Sequence, residues 1–494
     1  MARVREWWLP LLGVALSGCS LAPKFQQPSV QTPDAYKRAA LELPVGERGS
    51  WKPGTPAERD PRGEWWKTFK DPVLDRLVTE AVADNPGLQA AAARVRQSRA
   101  LLGISAADKG VSLTAGFGPF NAKPSPASIG LPPDARTSST TLWRAPLVAS
   151  YELDLFGRVK ESVNAAKSDL RGAEATYRSV TLTLQADVAR TYFQLREVDA
   201  DIAILADTIK LREEGVAFLR HRFEAGAIGE LDLARARTET ATARTVLESD
   251  KGRRAQLENA LAVLVGKLPA AFGVASGEPV KYAPDIPPGM PSSLLERRPD
   301  IVSVQTALVS ANSRIGVAKA AFFPSIKLTG QGGFESDELS DLFRWSSRTW
   351  FLGPFLGGLV SLPILDGGRN KANLERSKAQ YEEAVGNYRQ RVLTAFGEVE
   401  DGLAGLRSLS GQEMANREAL DAVGRAATIS RMRYNAGAVS FLDVIDAERS
   451  RLDIERDTNR IISARVQGTV ALIRALGGGW GDEPAAGAEK VSAK

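Results

Sequence analysis

A fourteen-residue pattern occurs twice in this chain, and the distance between the copies organises everything else. Arg220 to Leu233 reads RHRFEAGAIGELDL and Arg431 to Val444 reads RMRYNAGAVSFLDV. The matched positions include Arg222 and Arg433, Phe223 and Tyr434, Gly226 and Gly437, and Asp232 and Asp443, all at one offset (431 − 220 = 443 − 232 = 211). Each copy interrupts a long helical pattern with a turn of small residues. Each is therefore expected to be the tip of a helical hairpin, formed by Gly226, Ala227, Ile228 and Gly229 in the first copy and by Gly437, Ala438, Val439 and Ser440 in the second.

The flanking segments fit that reading. Arg158 to Glu224 and Arg369 to Asn435 are free of proline and predict helices of about 67 residues, roughly 100 Å each at the helical rise. The first carries a seam at steps of four and three (Val198, Ile202, Leu205, Ile209, Arg212, Val216, Leu219 and Phe223), apolar but for Arg212, the spacing of a coiled coil. The second seam is weaker: Leu409, Leu420, Val423, Ala427 and Tyr434 fit it, whereas Glu413, Asn416 and Ser430 do not. Return helices are expected over Glu230 to Val265 and Ser440 to Leu476, and shorter helices over Asp71 to Val82, Pro86 to Lys109 and Pro299 to Phe323.

Between short and long helices the period changes from helix to strand. Val111 to Gly118 and Thr141 to Asp154 alternate in the first half, Ser325 to Phe334 and Trp350 to Leu365 in the second. The last is an uncharged run of sixteen residues with three glycines and two prolines, too short and too broken for a membrane helix. Two tandem repeats follow, 71–266 and 299–476, joined by a Pro/Gly-rich connector at 267–298 and ending in a flexible tail at 477–494. Strands of about ten residues are long enough to cross a bilayer, but four strands cannot close a barrel, and an open edge in lipid leaves backbone groups unpaired. Several copies of the chain must therefore pool their strands. Eight from a dimer and twelve from a trimer both satisfy that arithmetic.

The beginning of the chain places it outside the cytoplasm. Arg3 and Arg5 precede an apolar run from Trp7 to Leu16, a signal peptide over residues 1–18. Cys19 is the only cysteine, so no internal disulfide is possible. It follows Leu16-Ser17-Gly18, which resembles the lipobox of bacterial lipoproteins, and Ser20 beside it favours the outer membrane. Residues 19–70 are expected to be a lipid-anchored N-terminal tether.

Little else points to chemistry. With 43% hydrophobic and 25% charged residues the composition is globular, and the net charge of +5 is spread along the chain rather than gathered into a nucleic-acid stripe. The single histidine, His221, supplies neither a metal cluster nor a triad. Gly266-Lys267 lacks the glycine a phosphate loop needs, and Gly330, Gly332 and Gly333 open no helix. No catalytic residue, cofactor or metal is expected. Asp443 and Asp446 share one helix face. Ser440 and Asp443 have the spacing of a capping box, and acids at a helix start are favoured in any case.

In order along the chain, Trp65–Pro72 (WWKTFKDP), Glu152–Arg158 (ELDLFGR), Pro287–Ser292 (PPGMPS) running into Leu294–Asp300 (LLERRPD), and Pro363–Arg369 (PILDGGR) resemble the outer-membrane factor family. These are the TolC-like efflux channels, and the likeness is to their NodT-type lipoprotein branch. The resemblance covers nearly all of the mature chain. It implies a mixed α and β membrane protein, an all-antiparallel transmembrane β-barrel with four strands per protomer continuous with a long coiled-coil α-helical barrel. It also implies a homotrimer, a periplasmic adaptor (membrane fusion) protein, an inner-membrane pump and contact with outer-membrane lipid. Asp443 and Asp446 match the family's acidic constriction, which makes them the expected periplasmic gate. In the first copy Asp232 is kept while Arg235 replaces the second acid, so an Asp446–Arg235 contact is an expected latch. The small residues of both tips match the family's adaptor contacts. The function so implied is the passive outer-membrane duct of a tripartite efflux pump. The alternatives are the exit duct of a type I protein-secretion system and a lipid-anchored coiled-coil scaffold without a pore.

Overall fold

A computed structural model describes residues 21–29, 37, 64–278, 284, 298–352 and 360–478. The expected signal peptide and Cys19 fall outside the described residues, as do most of the tether, the core of the connector with its Pro287–Ser292 motif, and most of the tail. The described chain forms helices α1 (Pro72–Asp84), α2 (Pro86–Ala107), α3 (Arg158–Glu224), α4 (Glu230–Leu264), α5 (Pro299–Ala320), α6 (Arg369–Asn435) and α7 (Phe441–Ala475). Its strands are β1 (Ser112–Ala115), β2 (Gly118–Ala122), β3 (Thr140–Leu153), β4 (Ser325–Ser336), β5 (Arg348–Leu352) and β6 (Val360–Ser361). By contact these segments fall into two compact units. The first draws on residues 94–173 and 303–388 with the segment up to Ser29, the second on the residues from 30 to 93, 174 to 302 and 389 onward.

The first unit holds one antiparallel sheet. β3 and β4 pair along eleven positions, from Trp143 against Ser336 to Leu153 against Ile326. β1 and β2 both pair with β3, and β5 and β6 both pair with β4. Six segments thus occupy four strand positions, and among the described residues the sheet ends in an open edge on each side. Beyond the expected strand Val111 to Gly118 the chain stays strand as far as Ala122, because Gly118–Ala122 continues the ladder opposite Thr140–Arg144. Residues 353–359 of the uncharged run lie outside the described residues.

Each long helix begins with a carboxylate at the strand-to-helix junction. Asp154 accepts from the backbone N–H groups of Val159 (3.1 Å) and Lys160 (2.7 Å), and Asp366 accepts from Gly368 (2.9 Å) and Asn370 (2.8 Å). These bonds satisfy donors that a helix start otherwise leaves free, and they place negative charge at the positive end of the dipole. In the same unit residues 21–29 run along α5. Asn312 donates to the Pro23 carbonyl (2.9 Å), Gln305 to Gln27 (3.1 Å), and Gln27 in turn to the Tyr388 hydroxyl (2.8 Å). Gly316 makes room for this segment, since a Cβ there would lie 2.8 Å from that of Ala22.

The second unit holds the main apolar core. Trp65, Leu74, Leu77, Val78, Tyr192, Phe193, Leu195, Leu261, Val466 and Ile473 are all buried together. Burial of each large side chain contributes about 1.5–3 kcal/mol relative to exposure. Asp71 caps α1 through Val73 and Leu74 and also accepts from the Tyr192 hydroxyl at 2.6 Å, so the first short helix is fixed to α3 by a polar bond inside an apolar cluster.

Candidate functional site: the paired hairpin tips

Both tips close in the same way. Ala225 donates to the His221 carbonyl, Gly226 to Phe223 and Ala227 to Arg222, and the second copy repeats the pattern from Ala436 to Met432, Gly437 to Tyr434 and Ala438 to Arg433. This is the Schellman arrangement, whose C′ residue must be left-handed. Gly226 and Gly437 both have φ of 71°. The chain then turns directly into the return helix, with Gly229 and Ser440 as N-caps of nearly equal backbone angles (φ −80°, ψ 159° and φ −76°, ψ 160°).

The caps differ chemically. Asp443 accepts from the Ser440 backbone N–H (2.9 Å), the backward bond of a capping box, and also from the Ser440 hydroxyl (2.7 Å). These bonds, the hydroxyl's first, hold the Asp443 carboxyl below the usual range. Gly229 has no hydroxyl to offer Asp232. Asp443 and Asp446 are exposed, while Val444 and Ile445 between them are buried. Asp232 and Arg235 are half-buried, their neighbours Leu233 and Ala236 buried. Asp446 pairs with Arg449 of its own helix at 3.9 Å, and Arg235 forms no ion pair among the described residues, so the Asp446–Arg235 contact is absent within one chain. Of the small tip residues, Ile228 and Val439 are half-buried and the other six are exposed.

Behind the tips the hairpins meet. Leu219, Leu233 and Ala236 form a small core joined by Ile228, Tyr434 and Phe441. Phe441 stands 5.3 Å from Tyr434, and Arg222 lies 5.7 Å from the same Tyr434 ring. Burial raises the Tyr434 hydroxyl's pKa, and that hydroxyl has no hydrogen-bond partner among the described residues. A cavity of about 290 Å³ opens here, walled by Phe218, Ala236, Val444 and Ile445 among others.

The sequence reading missed a ladder of polar contacts by which α7 holds the first hairpin. Arg449 donates to both carboxylate oxygens of Glu239 on α4, through Nε at 3.0 Å and through Nη2, and Arg212 of α3 donates to the Glu239 carbonyl at 2.8 Å. Arg456 bridges Asp201 (3.1 Å) and Asp250 (2.9 Å). Asn459 donates to Asp201 (2.7 Å), and Gln194 of α3 donates to Gln467 (3.1 Å). The signal in the sequence is the seven-residue spacing of Arg449 and Arg456, which sets both arginines on one face of α7. No helix among the described residues is long and apolar enough to cross a membrane.

An open antiparallel sheet joined in sequence to paired helical hairpins defines a class of protein: membrane-barrel channels built with coiled-coil helices. Residues 77–267 and 290–478 match the outer membrane efflux protein family, and the chain belongs to it. It is 34% identical over 473 residues to the cation efflux system protein CusC of Escherichia coli O6:H1, covering 95% of this chain and 97% of CusC. It is also 34% identical over 473 residues to the probable outer membrane lipoprotein SilC of Salmonella typhimurium, covering 94% and 96%. Its fold resembles that in the crystal structure of a membrane protein from Pseudomonas aeruginosa, with a TM-score of 0.81, 33% identity, and coverage of 93% of this chain and all of that one. The protein is an outer-membrane channel of an efflux pump, with the mixed α and β fold of such channels.

Proposed function

We propose that three copies of this chain supply twelve strands to one closed barrel, and that their six tips form its periplasmic entrance, where a periplasmic adaptor and an inner-membrane pump deliver small molecules for passive export. The observation that carries this reading is the sheet's two open edges, β1 with β2 on one side and β5 with β6 on the other. In lipid each unpaired backbone group costs several kcal/mol, and neighbouring copies are the economical source of partners. The two tandem repeats, 71–266 and 299–476, then give each protomer two equivalent hairpins and the entrance a pseudo-sixfold ring. Cys19, two residues before the segment held on α5, is the proposed lipid attachment site, which adds outer-membrane lipid to the partners.

At the entrance Asp443 and Asp446 form the proposed gate, with Asp232 and Arg235 facing them from first-copy tips. The exposure of Asp443 and Asp446 supports this, because a carboxylate ring acts on permeating ions only where solvent reaches it. Gly226 to Gly229 and Gly437 to Ser440 are the proposed adaptor contacts, and the exposure of six of the eight fits docking. Single-channel conductance in planar bilayers tests the gate: Asp443→Ala, Asp446→Ala and Arg235→Ala are each expected to raise conductance, and unchanged conductance in all three removes the gate. Ala227→Trp and Ala438→Trp are expected to reduce crosslinking to the adaptor while leaving the yield of heat-modifiable trimers on a gel unchanged.

A further inference from the structure

We propose that Asp201, Arg456 and Asp250 form a proton-responsive clamp that binds α7 to both helices of the first hairpin and tightens when one proton is taken up. The clamp goes beyond the gate at the tips and uses none of its residues. One nitrogen, Nη2 of Arg456, serves both carboxylates, at 3.1 Å from Asp201 on α3 and 2.9 Å from Asp250 on α4. Its Nε has no hydrogen-bond partner among the described residues. The side chains of Asp201 and Asp250 are each only 11% exposed, so water does little to relieve their mutual repulsion.

The other groups facing the pair do not restore balance. From α4, Arg253 is committed to Glu197 of α3 at 3.4 Å. From α7, Asn459 donates to Asp201 (2.7 Å) and to the Glu197 carbonyl (2.8 Å) but carries no charge. Three carboxylates (Asp201, Glu197, Asp250) thus face two guanidinium groups (Arg456, Arg253), leaving one negative charge in excess. Two carboxylates sharing one cation in a desolvated site cannot both ionise freely. Asp250 bears the strain: burial raises its pKa above the usual carboxylate value, with Asp201 adding to the rise and Arg456 and Arg253 opposing it.

The sign follows from linkage. A carboxyl whose pKa is raised in the packed arrangement favours that arrangement once protonated, so packing gains as pH falls through the raised value and loses as pH climbs above it. Protonation removes the excess charge and leaves the Arg456–Asp201 pair and the Asn459 bonds in place. Ionised Asp250 favours any arrangement that returns it to water, with α4 and α7 further apart.

Spin labels at Ser249→Cys on α4 and Ser450→Cys on α7 in the full-length channel in detergent read this distance by pulsed electron resonance, with signal from Cys19 subtracted using the unsubstituted protein. As pH falls from neutral through the raised Asp250 value to the usual carboxylate value, the ratio of short to long distances is expected to rise, by up to about tenfold per pH unit for one linked proton. Asp250→Asn is expected to give the short distance at every pH, and Arg456→Gln the long one. A distribution that does not move with pH overturns the clamp. So does a response that survives Asp250→Asn but disappears in Asp446→Asn, which would assign the sensitivity to the tip and leave the gate standing without the clamp.

Discussion

The two hairpins share a backbone and differ in what holds it together. α3 and α6 each have 67 residues, α4 and α7 each have 35, and both tips turn at a glycine with φ of 71°. In the first hairpin the seam is apolar apart from Arg212, with Val198, Leu205, Ile209 and Leu219 all buried, and its buried charges (Glu197, Asp199, Asp201, Glu239 and Asp250 among them) lie beside the seam. In the second, Glu413 is buried against Arg465 at 2.9 Å, and Asn416 donates to Thr458 at 2.7 Å and to the Ile454 carbonyl. Apolar burial is lost in full when helices separate, because water offers no replacement. Hydrogen bonds and ion pairs exchange for bonds to water at a small net cost. One backbone thus carries a mainly apolar seam in the first hairpin and a seam interrupted by Glu413 and Asn416 in the second, and the second also bears both tip acids and the α7 arginines of the polar ladder.

The largest expected effect tests the apolar seam of the first hairpin. Leu205→Ala leaves a cavity in a fully buried seam and is expected to cost about 2–5 kcal/mol in denaturant unfolding of the detergent-solubilised protein. Leu420→Ala in the second hairpin, where the side chain is half-buried, is expected to cost clearly less. Equal losses would break the contrast. Next comes the likeness itself. A Cβ at Gly226 or Gly437 meets no atom within 4 Å, so the cost of Gly226→Ala and Gly437→Ala is that of a left-handed non-glycine residue, about 1–2 kcal/mol, and the same in both tips. Unequal melting shifts would show that the tips are not equivalent.

Much of this contrast was legible in the sequence, and the illegible part has a common cause. The offset of 211 and the absence of proline locate both long helices, since length and period need only local information. The apolar seam was legible for the same reason, apart from Phe223, which is 39% exposed because the seam ends where the tip begins. Glu413 and Asn416 read as defects in the second seam, yet the structure uses both: their partners, Arg465 and Thr458, lie on the return helix, and the sequence does not pair a buried carboxylate with its cation at a distance of fifty residues. The same holds for Arg456 with Asp201 and Asp250. At the tips, residue types pointed to Ser440 and Asp443 as a capping box, which the hydrogen bonds bear out. The Asp446–Arg235 contact needed tertiary information, and within one chain the structure gives Asp446 to Arg449 instead.

The smallest effect tests the sharpest difference between the tips, the cap. Gly229 and Ser440 have almost the same backbone angles, and a Cβ at Gly229 meets nothing within 4 Å, so Gly229→Ser fits without strain. The new hydroxyl stands three residues before Asp232, the spacing at which Ser440 meets Asp443. Replacing an N-cap glycine by serine is worth about a few tenths of a kcal/mol, and the expected readout is slower hydrogen exchange of the first-turn amides of α4. The pH dependence carries the same information. At the second tip the lowered Asp443 pKa contributes stability that is present above the usual carboxylate range and lost as pH falls through the lowered value. Gly229→Ser is expected to give Asp232 that acid sensitivity, and Ser440→Gly to take most of it from Asp443, leaving only the backbone bond. If protection of the α4 amides stays flat with pH in Gly229→Ser, the two tips differ in more than one hydroxyl.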